Sequence, residues 1–110
     1  MEKNASAIES LQGKEFLCMG ETLTIWLEQY AISKRPAVTL LCTDDGVTMP
    51  YGTLTVNMPE VQLADDEIII KNWSENEWLA SAALKSGLFE DTGRRIPTGF
   101  VEAPVWKVKS

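Results

Sequence analysis

The chain contains no histidine. That absence removes the Ser-His-Asp and Cys-His nucleophile systems, and with them the commonest general base. Cysteine is nearly as scarce: Cys18 and Cys42 stand alone and far apart, too few to complete a structural zinc site. Both lie in apolar, strand-like stretches, which fits reduced and buried thiols, with a disulfide as the other reading. No glycine-rich phosphate loop of either common spacing occurs. No apolar run approaches the ~20 residues that a membrane-spanning helix needs. Met1–Glu15 is polar and lacks the apolar centre of a secretory leader. We therefore expect a cytoplasmic chain that is not an enzyme, with no catalytic residues, no metal, no cofactor and no membrane association. Catalysis by carboxylates alone would require two acids converging in one pocket, which a sequence does not display.

Positive charge is also in short supply. Sixteen acidic residues face 10 basic ones, for a net charge of −6. Direct nucleic-acid binding is disfavoured, because phosphate backbones are held by clustered Lys and Arg. What is present suits one domain: 110 residues, 45% of them apolar and 24% charged, enough for a core without staples. The expected division is a polar N-terminal segment or short helix over 1–14, then a single α+β domain over 15–110.

Residues 5–13 carry Ala7, Ile8 and Leu11 at helical spacing and end at Gly13. Phe16 and Cys18, then Leu23, Ile25 and Leu27, alternate with polar positions as a half-buried strand does. Leu23, Trp26, Leu27 and Tyr30 also fit a helical stripe, so residues 21–32 have two readings; Thr22 and Thr24 favour strand. Lys34-Arg35-Pro36 reads as a turn, Ala37–Thr43 as a strand and Asp44-Asp45-Gly46 as a hairpin turn. Tyr51–Met58 reads as a strand with Leu54, Val56 and Met58 inward and Thr53 and Thr55 outward. Glu67–Lys71 reads as a short central strand or an apolar edge. Ser74-Glu75-Asn76-Glu77 has the form of a capping box, followed by a helix of about twelve residues ended by Gly87. Its apolar face is Trp78, Leu79, Ala82, Ala83 and Leu84. Phe89–Gly99 reads as a loop, and Phe100–Val108 as a last strand that Pro104 places at an edge or splits. Short connections between strands imply an antiparallel meander. The fold expected is α+β: a twisted antiparallel sheet of about five strands with one main helix on one face and a possible short N-terminal helix.

Three local features have the composition of a site. Between Glu60 and Glu77 lie six acids (Glu60, Asp65, Asp66, Glu67, Glu75 and Glu77) and one base, Lys71. Such a surface can compete for a basic groove on a partner, or can simply be a solvated face. The block Asp65-Asp66-Glu67 has the chemistry for a hard cation but not the spacing of a calcium loop. Arg94 and Arg95, flanked by Gly93 and Gly99, can offer a fork to a carboxylate or phosphate, or can pair with Glu90 and Asp91. Four tryptophans are many for this length. Trp26 and Trp78 are expected in or near the core, Trp73 beside the helix start and Trp106 in the last strand.

Tyr51–Pro59, Ile70–Glu77 and the stretch from Thr92-Gly93 to Pro97–Pro104 together resemble an uncharacterised domain-of-unknown-function family of small proteins carried on conjugative elements and prophages of gut bacteria. The resemblance spans roughly residues 30–108; Gly52 departs from the alanine expected there, and the segment before Tyr30 has no counterpart. No catalytic residue is assigned to that family, so none carries over. What the resemblance implies is context, as accessory cargo of mobile DNA. The leading expectation is a protein-interaction module acting on another protein, such as a host defence nuclease, through the acidic 60–77 surface. The alternative is a small-anion-binding or regulatory module using Arg94 and Arg95. The chain would act as a monomer or a homodimer, the Pro104 strand being the one expected to pair across a dimer.

Overall fold

The computed structural model describes residues 7–109. The first residues of the helix expected over 5–13 lie outside that range; residues 7–9 are helical and a turn runs on to Gly13. Ile8 and Leu11 are buried, as their spacing requires. Seven strands follow: β1 (Glu15–Cys18), β2 (Glu21–Gln29), β3 (Pro36–Asp44), β4 (Val47–Thr53), β5 (Glu67–Ile69), β6 (Phe89–Pro97) and β7 (Glu102–Val108). Between β5 and β6 come a 3₁₀ turn, Ser74–Asn76, and the one main helix, Glu77–Lys85. The class is α+β, with the strands in two antiparallel sheets, of order β1-β2-β3-β4 and β5-β7-β6.

Residues 21–29 are a strand, and their alternation shows why. Leu23 and Ile25 are buried while Thr22 and Trp26 point outward, and Leu23 stands opposite Cys42 on β3. β-branched residues at 22, 24 and 25 favour the pleated conformation over the helical stripe. Two-residue turns with positive φ close the β1–β2 hairpin at Met19-Gly20 and the β3–β4 hairpin at Asp45-Gly46, the second as its Asp-Gly pair signals.

The chain after β4 joins the sheets. The Leu54 amide donates to Val38 O at 2.8 Å, and the Val56 amide to Ile69 O at 3.1 Å. Thr55 pairs with Ile70 in a single bridge. The strand expected to run to Met58 therefore ends at Thr53, and Thr55 is buried rather than outward. Its hydroxyl accepts the Val38 amide at 3.2 Å and hydrogen-bonds the Tyr30 hydroxyl at 3.0 Å.

Ile68-Ile69-Ile70 is continuous apolar because both of its faces are covered. Ile68 and Ile70 enter the main core with Leu23, Ile25, Leu40, Leu54, Leu79 and Phe89. Ile69 faces the other way, into a smaller cluster with Ala103 and Val105, covered by Val56, Met58, Val61, Leu63, Trp73 and Ile96.

Several expectations are corrected. The capping box does not form: Ser74 has φ +56° and caps nothing. Instead the buried Asn76 side chain donates to Thr53 O at 2.7 Å and Lys71 O at 3.1 Å, tying the helix start to the end of β4. The helix buries Leu79, Ala80 and Ala83, leaving Trp78 and Leu84 exposed. At about 100° per residue, Trp78 lies some 200° from Ala80 and so faces solvent. Trp26 is half-exposed on the outer sheet face, next to the inward Ile25. Residues 89–97 are a strand, not a loop, because Gly93 (φ +88°) serves a bulge within β6 rather than a turn. β7 is the central strand of its sheet, so Pro104 is at no edge. Its missing N–H is tolerated because Pro104 pairs with Arg95 where β6 resumes after the bulge, and its carbonyl accepts the Ile70 amide at 2.9 Å. Among the described residues no helix is long and apolar enough to cross a membrane.

Candidate functional site

The segment Met58–Leu63 lies as a strap over the smaller core and is pinned by two guanidinium groups rather than by a sheet ladder. Arg35 donates from Nη1 to Met58 O at 2.9 Å and from Nη2 to Val61 O. Arg94 donates from Nη1 to Gln62 O at 2.7 Å. Beside the strap opens a cleft of about 230 Å³. Tyr30, Lys34, Arg35, Asn57, Asp65 and Glu67 supply its polar lining, and Ile68 and Ile69 are among its apolar residues. Arg35 marks the limit of the sequence reading, in which Lys34-Arg35-Pro36 was only a turn. Its role depends on carbonyls more than twenty positions later, and no local pattern signals that.

The six acids fall into two groups. Asp65, Asp66 and Glu67 lead into β5, with Glu60 on the strap; Glu75 and Glu77 follow its far end. Residues 67 to 71 are extended, which separates the groups by roughly 13 Å at ~3.3 Å per residue. Glu60, Asp65 and Glu77 are exposed and Asp66 is half-buried. None of these four forms an ion pair among the described residues. Glu67 and Glu75 are engaged. Glu67 Oε1 accepts the Ala64 amide at 2.9 Å and lies 3.9 Å from Arg94 Nη1. Glu75 is 3.0 Å from Lys71 Nζ. Its carboxyl is held below the usual range by its own backbone amide first and by Lys71 second. Among the described residues no three His, Cys, Asp or Glu side chains converge as a metal-ligand set.

Both arginines of the 92–99 stretch are occupied. Arg95 forks onto Asp91, with Nη1–Oδ1 and Nη2–Oδ2 both 2.9 Å. That fork holds the Asp91 carboxyl below its ordinary value and raises the guanidinium in turn. An anion at this loop would have to displace Asp91 from one arginine and Gln62 O from the other.

A second surface was not anticipated. Cys18 Sγ lies 3.8 Å from the Tyr51 hydroxyl and 3.9 Å from Trp78 O, so the β1–β2 hairpin, β4 and the helix start meet there. Leu17, Met19, Met49, Tyr51 and Trp78 are all exposed around it. The contact with Cys18, followed by burial, raises the Tyr51 hydroxyl above its usual range. Both cysteines are free. Cys42 is pushed up by burial and then by Glu21, so its thiolate is scarce at neutral pH.

With this geometry in hand, comparison with protein-family models, with curated proteins and with solved structures finds no match to the chain.

Proposed function

We propose that this chain is a non-enzymatic protein-interaction module of a mobile genetic element. In its specific form it inhibits a host defence nuclease, of the anti-restriction or anti-CRISPR type, by occupying a groove built for nucleic acid. The observation that carries this reading is the uncompensated charge of Glu60, Asp65, Asp66 and Glu77, which form no ion pair among the described residues of a chain with net charge −6. A groove that binds phosphates is lined with Lys and Arg, and exposed carboxylates present the same sign of charge to it. The Asp65–Glu67 corner is well placed for that task, since the Val108 amide holds Asp66 O at 2.8 Å and Ala64 is tied to Glu67. Such contacts are exchanged for counterions, so inhibition falls as salt rises.

The test is a DNA-cleavage assay with purified restriction and CRISPR nucleases, titrated with the chain and with a Glu60→Gln/Asp65→Asn/Asp66→Asn variant. Inhibition that weakens with salt and falls at least about tenfold in the variant supports the proposal. Inhibition of no nuclease in the panel, or equal inhibition by the neutralised variant, overturns it.

A further inference from the structure

The cleft beside the strap keeps its charges on opposite walls. The β2–β3 connection supplies one wall with Tyr30, Lys34 and Arg35, braced by the Tyr30 amide on Arg35 O at 2.9 Å and the Lys34 amide on Tyr30 O at 3.0 Å. The chain entering β5 supplies the other, with Leu63, Asp65 and Glu67. Among the described residues no ion pair crosses between these walls. Glu67 turns to Ala64 and Arg94, and Arg35 is spent on carbonyls of the strap. Lys34 and Asp65 have no partner of opposite charge among the described residues. Lys34 is exposed and holds φ +64°, a left-handed position that suits Gly or Asn better. Lys34 and Asp65 stand at the rim, since they also border a neighbouring groove with Glu9 and Glu28; Tyr30 and Thr55 line the cleft alone and lie deeper.

The inner end of the cleft holds a hydrogen-bond donor with nothing to receive it. Thr55 Oγ1 accepts the Val38 amide and lies 3.0 Å from the Tyr30 hydroxyl, which makes no other hydrogen bond among the described residues. Two hydroxyls carry two protons, and their mutual bond uses one. The other is left over beside a threonine only 5% exposed, where a donor without an acceptor is costly. Asn57 spends its Oδ1 on the Ser33 hydroxyl at 3.0 Å, and its amide protons have no acceptor among the described residues. Val56, Ile68 and Ile69 give apolar surface between the two walls. We propose that this cleft binds a small zwitterion of the amino-acid type. Its carboxylate meets Lys34 and the Tyr30–Thr55 hydroxyls, its ammonium faces Asp65, and its aliphatic body lies on Val56, Leu63 and Ile69. A plain anion would bring its charge against Asp65 and Glu67, and a plain cation against Lys34 and Arg35; a molecule of both signs leaves neither wall unpaired. The cleft, at about 230 Å³, is below the ~300–1,000 Å³ of drug-sized sites, which limits the ligand to a small molecule. This goes beyond the interaction reading above, which makes no use of the Lys34 wall.

The test is an NMR titration of the full chain's amide resonances. The probes are two zwitterions, L-leucine and ε-aminocaproate, whose charges stand close together and far apart, and two single-charge controls, isocaproate and isoamylamine. One zwitterion should shift the amides of Tyr30, Lys34, Val56 and Asp65 first, and both controls should bind at least about tenfold more weakly. Tyr30→Phe and Lys34→Asn should each weaken that zwitterion about fivefold or more. Lys34→Asn should at the same time leave the thermal midpoint unchanged or raise it, because Asn suits the left-handed position, which separates lost binding from lost folding. The proposal is overturned if neither zwitterion shifts a resonance at ~10 mM, if a single-charge control binds as tightly, or if both variants bind like the parent. A Glu60→Gln/Asp66→Asn variant should also bind the zwitterion like the parent. Loss of binding there would put the ligand on the acidic corner instead and overturn the assignment to the cleft.

Discussion

Replacing Arg35 with Met should loosen the Met58–Leu63 strap while keeping the core beneath it. Arg35 is half-buried, and its fork spans Met58 O and Val61 O across a turn that the Val61 amide closes back on Met58 O at 3.0 Å. Methionine retains most of the apolar stem, so the change removes mainly the two charge-assisted bonds. A hydrogen bond to a charged group contributes roughly 1.5–3 kcal/mol when well buried. Water can reach part of this site, so about 1.5–3 kcal/mol for the pair is the reasonable range. For a domain of this size that corresponds to a midpoint lower by roughly 6–12 °C. Arg35→Lys keeps the charge but not the planar fork, and should recover less than half of the loss. Urea unfolding measures the change as a shifted midpoint at unchanged slope. Native-state hydrogen exchange at the Val61 amide should show the strap opening before the sheets do. A loss below about 0.5 kcal/mol with unchanged protection of Val61 would refute the idea that Arg35 holds the strap.

Gly52→Ala should be accepted and should stabilise the chain by about 0.4–1 kcal/mol in urea unfolding, chiefly by restricting the unfolded state. An added Cβ meets only Leu79 Cδ2, at 3.4 Å, and Gly52 has no positive φ; a loss of more than about 1 kcal/mol would mean that the helix cannot yield there. Trp106 is buried in the main core, with its indole Nε1 lacking any partner among the described residues and its ring 5.6 Å from Phe89. Trp106→Phe removes the orphaned donor along with some packing, so calorimetry should place it within about 1 kcal/mol of the parent, against the 3–5 kcal/mol of a full truncation. The Asp91–Arg95 fork depresses the Asp91 carboxyl, so its contribution is present above the unfolded value near pH 4 and lost as pH falls through the lower folded value. Because both side chains are about a third or more exposed, a double-mutant cycle at neutral pH should give roughly 0.5–1 kcal/mol, shrinking toward zero as pH falls through that lowered value; a coupling that stays constant through the acid range would refute the assignment.

Chain order, strand periodicity and the positions of most turns were legible because they depend on neighbours in sequence. Alternation at 23, 25 and 27 outweighed the helical stripe, and Asp45-Gly46 closed the hairpin it signals. The same local logic failed where local and distant partners compete. Ser74 had the pattern of a cap, but Asn76 found better acceptors at Thr53 and Lys71. Gly93 looked like a loop residue until β7 lay beside it and turned the irregularity into a bulge. Pro104 looked like an edge marker, yet its neighbours arrange themselves so that no ladder donor is required of it.

The sequence by itself determined the class, the acidic balance and the absence of histidine chemistry, since these follow from composition and from periods of two and 3.6 residues. Tertiary structure alone decided which acids stand apart, that Arg35 and Arg94 grip a strap, and that Met19, Leu17 and Trp78 share one groove. Each of those facts joins residues distant in sequence, and a side chain's role is set by what the folded sheets bring within hydrogen-bond or van der Waals reach.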